Sequence, residues 1–330
     1  MTEFPRPGGR LASRALGLLV FAVLAGFAVL AVRRAPPETL PSLREARPLL
    51  LAAGAAAYGA GFFLRGVRLN LLLPPGERLS PARAGTLSAS ALFLVQVIPF
   101  RGGELATWAA YRAALEKGWI RSGAVLAVAK LVDSAVLILV GLAGGALVAL
   151  RGRSATFGTT AALAFLAGAA ALLLVPRFAG AGVLRLAGRF PEGSRRRRLV
   201  AEIGEALRVA HERPRDYMGS VAAAAGCSLV QIGAVWLMLV GLRVAASPGA
   251  VAFAVFSAAL LSAAIPSPVG NFGPTESGFT AALLLEGVPV PLGLVAAGIL
   301  HLLSTATAGL VALPFLLGGA GRRLKDLPPG

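Results

Sequence analysis

Glu104 stands 26 residues before Lys130, and Glu276 stands 25 residues before His301. Each glutamate opens a short apolar segment just after a Gly- or Pro-interrupted turn, and each cation lies inside the long apolar run that follows. A carboxylate at a helix start favours the helix dipole and caps free amides, so capping alone accounts for either glutamate. The recurrence in both halves adds a second reading, in which the carboxylates neutralise a cationic group, pair with a neighbouring arginine or change protonation. Arg101 precedes Gly102 and Gly103, where backbone amides are free to approach an anion. Its guanidinium fork matches phosphate oxygens, and the helix N-terminus opening at Glu104 adds a favourable dipole. An internal Arg101 to Glu104 pair on one helical turn is the competing reading.

Lys130 and Asp133 are three residues apart, which puts them on one helical face and predicts a mutually neutralising pair. His301 is a lone histidine in an apolar run; such a residue relays protons or hydrogen-bonds a neighbouring helix, and the second is favoured. Thr275, after Pro274, is placed to cap the second short helix, and Asn271 offers an uncharged hydrogen-bonding group in the same turn. Arg101, Gly102, Gly103, Glu104, Lys130, Asp133, Asn271, Thr275, Glu276 and His301 are therefore the candidate binding residues, with a phosphate-bearing lipid head group as the expected ligand. Catalytic chemistry has no foothold: the sequence contains no phosphate-binding G-x-x-x-x-G-K-[ST] loop, no H-E-x-x-H and no G-x-S-x-G. His211 and His301 are far apart and Cys227 is the only cysteine, so neither a metal nor another cofactor is expected, and no intrachain disulfide is possible.

Positioning these residues falls to membrane helices. The chain is 56% apolar and 14% charged over 330 residues, a composition outside the range of an average globular domain. Crossing the hydrocarbon takes roughly 20 apolar residues of helix. Helices are expected at 15–32, 48–64, 122–150, 156–175, 219–242 and 291–317. The run at 15–32 follows Arg10 and Arg14 but exceeds a signal peptide's core and is closed by Arg33 and Arg34, so it reads as an uncleaved helix. Two stretches, 84–99 and 248–265, end at Ile98-Pro99 and Ile265-Pro266 and turn into shorter helices at 104–117 and 275–286. Broken helices of this kind are tolerated at membrane depth only where the irregular backbone is buried in protein or lines a wet cavity.

The formal charge of +17 does not signal nucleic acid, because the basic residues sit mostly in short connections between apolar runs. The 176–217 segment holds ten Lys+Arg, including Arg195 to Arg198, which predicts a cytoplasmic loop. Counting outward, both termini and the 65–83 loop fall inside and the 33–47 and 151–155 loops outside, provided that 84–117 and 248–286 each enter and leave on one side. The result is an all-α polytopic fold of about six full crossings and two re-entrant hairpins in an inverted repeat, in the inner (cytoplasmic) membrane. It reads as one membrane domain over 1–330: a first half, 15–175, with hairpin 84–117; a basic loop, 176–217; and a second half, 219–318, with hairpin 248–286. Corresponding broken segments in two halves point to a transporter's substrate site. Leu199, Ile203, Leu207 and Ala210 recur at helical spacing in 195–212 and predict a short amphipathic helix on the cytoplasmic leaflet. The small residues at Gly141, Gly144 and Gly145 predict close helix packing.

Ile98-Pro99 through Arg101-Gly102-Gly103-Glu104, Ala127 to Asp133, and Ile265-Pro266 through Thr275-Glu276-Ser277-Gly278 together resemble the lysylphosphatidylglycerol synthase transmembrane-region family, also described as flippase-like integral membrane proteins. The resemblance spans roughly 15–318. Where the family often has Glu-Arg before the helix-borne aspartate, this chain has Ala129-Lys130, and His301 stands where the family often has Arg. The resemblance implies a lipid-flipping module without the cytoplasmic aminoacyltransferase domain to which it is joined in members that make lysylphosphatidylglycerol. Its expected partners are membrane lipids, anionic or phosphate-bearing, and a transferase encoded elsewhere; nucleic acid is not one. Two rival functions remain open at this point: a non-transporting scaffold for such a transferase, and a small-solute transporter.

Overall fold

A computed structural model describes residues 45–98, 102–151, 167–168, 182–265, 267 and 271–318. The helices predicted at 15–32 and 156–175 lie outside these residues, apart from 167–168. Among the described residues the chain is helical, with no strand. The helices are α1 (Pro48–Leu72), α2 (Pro81–Val97), α3 (Gly102–Leu115), α4 (Trp119–Arg151), α5 (Arg195–Glu212), α6 (Pro214–Gly241), α7 (Pro248–Ala264), α8 (Pro274–Leu284) and α9 (Val290–Leu317). Of these, α1, α4, α6 and α9 are long and apolar enough to cross a membrane. Large apolar side chains such as Leu131, Ile138, Leu147 and Leu310 remain exposed on their outer faces, as a lipid-facing surface requires. This is a membrane-embedded, multi-pass helical protein.

Proline sets the helix starts and does so twice over. Arg47-Pro48 begins α1 and Arg213-Pro214 begins α6; Ser80-Pro81 begins α2 and Ser247-Pro248 begins α7. In the latter two the serine hydroxyl accepts an amide N–H of the first turn, from Arg83 and Ala250 respectively, while proline at the first helical position carries no orphan donor. Both α2 and α7 run for 17 residues, about 25 Å, and stop at isoleucines in extended conformation, Ile98 and Ile265. The following prolines force that conformation.

The two halves run in opposite directions. The Arg47 amide N–H at the start of α1 donates to the Gly241 carbonyl at the end of α6, and at the other end the Arg213 side chain donates to the Leu73 carbonyl, both at 2.8 Å. Between these ends Cys227 Sγ donates to the Gly61 carbonyl, so α1 and α6 lie antiparallel along their full length. The other contacts are reciprocal: α2 of the first half packs on α9 of the second, and α7 of the second packs on α4 of the first. This reciprocal packing is the pattern an inverted repeat requires.

Each hairpin closes at its base. Arg83 at the start of α2 faces Glu116 after α3 at 3.8 Å, and Ser247 before α7 bonds Glu286 after α8 through both its amide and its hydroxyl. Each pair of arms therefore enters and leaves on one side. Close packing of the arms requires glycine at Gly103 and Gly278, where a Cβ would strike the backbone of α2 at Leu94 and Val95 and of α7 at Ser257 and Ala258. Gly141, Gly144 and Gly145 seat α4 on α7, against Phe256, Gly249 and Phe253.

Two expectations are corrected. The helix expected at 48–64 continues to Leu72, and Arg65 and Arg68, counted with the 65–83 loop, belong to α1. Partners on other helices, described below, hold these arginines inside the bundle. The amphipathic α5 matches 195–212, but Leu207 packs in a cluster with Val128 of α4 and Tyr217 of α6, leaving Leu199 and Ile203 as the exposed part of its apolar face.

Candidate functional site

The tips of the two hairpins, entering from opposite ends of the bundle, line one cavity of about 600 Å³, a size typical of small-molecule sites. Ile98, Gly103 and Glu104 reach it from the first hairpin, and Ser267, Asn271 and Thr275 from the second. Lys130 of α4 and His301 of α9 close its sides.

Two carboxylate contacts border the cavity, whose lining includes Glu104, Lys130 and His301. Lys130 Nζ bonds Glu104 Oε2, and His301 Nδ1 meets Glu276 Oε1 at 2.6 Å. The repeated spacing noted in the sequence thus corresponds to a repeated contact, each pair joining the second arm of a hairpin to the long helix that follows. Glu276 Oε2 also accepts the Gly273 amide N–H at 2.6 Å, tying the start of α8 to its own third residue in one half of a capping box. Gly273 has φ of +94° and Asn271 of +63°, conformations open to glycine and tolerated by asparagine. Phe272, between them, stacks on the His301 ring with centroids 4.1 Å apart and planes 7° apart.

Asp133 turns away from Lys130, which corrects the expected pair. It bonds Arg68 Nη2 at 2.9 Å and lies 3.6 Å from Arg65 Nε. Three residues on a helix leave side chains about 60° apart, enough for Lys130 to face the hairpin while Asp133 faces α1. Arg68 is 2% exposed. A lone charge at membrane depth costs roughly 2.5–3.5 kcal/mol on insertion scales, and Asp133 offsets that cost. Thr275 does not cap α8 as expected: Gly273 occupies the cap position, and the Thr275 hydroxyl instead bonds Ser262 across the hairpin at 2.7 Å. Arg101 lies outside the described residues, and Gly102 begins α3.

Several polar residues of this region went unmarked in the sequence reading. Gln96 and Gln231 line the cavity with Tyr58, Ser262 and Ser304. Gln231 accepts from Arg65 at 3.3 Å, and Gln96 accepts from Thr305 of α9 at 3.0 Å. The available signal was an isolated amide inside an apolar run, as in Leu94-Val95-Gln96-Val97, since polar side chains at membrane depth face protein or a wet cavity.

A family model described as the lysylphosphatidylglycerol synthase TM region matches residues 14–312. No curated protein and no solved structure matches the chain.

Proposed function

The chain belongs to the lysylphosphatidylglycerol synthase transmembrane-region family, and we propose accordingly that it moves a phospholipid or polyprenyl-phosphate lipid across the cytoplasmic membrane. The observation that carries this reading is the shared cavity, lined by the tips of both inverted hairpins, by the Glu104–Lys130 pair and by His301, which Glu276 holds from behind. Half-helix N-termini aimed at a midplane cavity recur in transporters that bind anionic groups. In this proposal Arg101 and the starts of α3 and α8 hold the phosphate, while Glu104 and Glu276 set the charge of the cavity. Both termini and the basic 176–217 segment face the cytoplasm. No chemical step is assigned to the protein; a transferase encoded elsewhere would make or use the lipid.

Proteoliposomes containing head-group-labelled phospholipid and a membrane-impermeant quencher provide the test. Wild type is expected to expose inner-leaflet label rapidly, and Arg101→Ala and Glu276→Gln to slow that exposure at least tenfold. Correctly inserted wild type that moves none of the phospholipids or polyprenyl phosphates tried would replace this reading with that of a membrane scaffold.

A further inference from the structure

The second charge pair has a property the first lacks. Both oxygens of Glu276 are occupied, one by the Gly273 N–H and the other by His301 Nδ1. An ionised Glu276 accepts from both, which places a proton on Nδ1 and leaves Nε2 to decide the charge of the ring. His301 Nε2 is buried and has no hydrogen-bond partner among the described residues, yet its side chain lines the cavity. Phe272 lies flat against the imidazole and fixes its plane, and the Nδ1 contact to Glu276 fixes the direction of Nε2 within that plane. An unpartnered nitrogen in a residue only 4% exposed is costly unless something occupies it.

We propose that His301 Nε2 is the proton-coupling site of lipid movement, taking up one proton with each phosphate-bearing head group and releasing it with the same cargo. This deepens the lipid-translocation reading and rests on it. With Nε2 unprotonated, Glu276 and His301 together carry one negative charge, which repels a phosphate. A proton taken from water at Nε2 brings the pair to neutrality and creates an N–H that donates to a phosphate oxygen. Proton and phosphate then favour each other's binding, and linkage makes that preference reciprocal. Discharge of the cargo on the opposite side leaves the N–H unpartnered, and the proton returns to water there.

The surroundings leave this role to His301. The titratable and charged groups that bond it or line the cavity with it are Glu276 from α8, Tyr58 from α1 and, across the cavity, Glu104 from α3 and Lys130 from α4. The helices α2 and α6 add the uncharged Gln96 and Gln231. Glu104 and Lys130 already neutralise each other, and imidazole is the side chain that ordinarily gains and loses a proton near neutrality.

The test uses the full chain in proteoliposomes with trapped pyranine and head-group-labelled phosphatidylglycerol, under an imposed pH gradient. Wild type is expected to translocate severalfold faster when the loading side is the acidic one, and an imposed lipid gradient should shift the pyranine signal. His301→Gln should lose both responses, and His301→Arg, whose charge is permanent, should leave pyranine silent under every imposed lipid gradient. Lipid movement by wild type that ignores the pH gradient and leaves pyranine silent would overturn the coupling while leaving translocation standing. A pH response that survives in folded His301→Gln would also overturn it. Wild type that moves no lipid at any pH defeats both readings. A pyranine response to inorganic phosphate alone would reassign the cargo to a water-soluble anion and overturn the lipid reading.

Discussion

At the tip of the first hairpin the side chains of Lys130 and Glu104 keep 45% and 46% of their surface exposed, whereas at the second tip His301 and Glu276 keep 2% and 10%. The scaffolds around them match closely: Ser-Pro starts, Ile-Pro ends, a glycine between the arms and a polar clasp at the base. The charges do not match. The first half also buries Arg68 with Asp133, and in the second half the place three residues after the cation is held by Ser304. A repeated backbone therefore carries two different arrangements: a half-exposed ion pair backed by a buried arginine, and a buried carboxylate–histidine pair. The matched scaffold brings the two tips to one cavity, and the side chains there differ in burial.

The largest stability difference between the halves is expected at those backing positions. Asp133→Ala strands Arg68 without its carboxylate and should cost about 3–5 kcal/mol, read as a lower midpoint of denaturant unfolding in detergent. Ser304→Ala, which removes a hydroxyl bonded to the His301 carbonyl and to Tyr58, should cost about 1 kcal/mol. Equal losses would mean that Asp133 does no more for its half than Ser304 does for the other.

Next in size is the contrast between the tips. Glu276→Gln loses the charge-assisted contacts to His301 and the Gly273 amide and should cost about 1–3 kcal/mol, while Glu104→Gln, in a half-exposed pair, should cost no more than about 1 kcal/mol. The same unfolding measurement decides, and a reversed order would show that burial is not what separates the two pairs. The smallest effect belongs to the bases. Ser247→Ala removes both a helix cap and a clasp to Glu286 and should cost about 1 kcal/mol; Arg83→Ala, whose ion pair is long and exposed, should cost under about 0.5 kcal/mol. Amide exchange at the start of α7 and α2 would resolve the two, with faster exchange expected only in the Ser247 variant.

The hairpins were legible because proline and glycine act locally. Ile98-Pro99 and Ile265-Pro266 end helices wherever the rest of the chain goes, and the glutamates after them mark helix starts. The matching Arg47-Pro48 and Arg213-Pro214 pairs were equally readable as helix starts. Arg65 and Arg68 were not legible as buried residues. Positive charge next to an apolar run reads as a topology signal, and their neutralising partner lies 65 residues beyond Arg68. For the same reason Lys130 and Asp133, near neighbours in sequence, looked like partners. Glu104 on α3 and Arg68 on α1 each draw one of the two side chains, and neither partner is near in sequence. The Glu276–His301 contact lay between these extremes, since its spacing was visible but its burial depends on Phe272 folding back over the ring.

The reciprocal docking of the hairpins also sets a timetable for biogenesis. The first hairpin packs on α9, and α2 ends at Val97 while α9 begins at Val290. At ordinary elongation rates that interval lasts roughly 10–40 s. For that time a re-entrant segment with polar groups at its tip sits in the bilayer without its final partner. The second hairpin finds α4 already inserted when it is made. Insertion machinery that shelters unfinished membrane segments is therefore needed most by the first half of the chain, and α9, once made, is the helix that releases it.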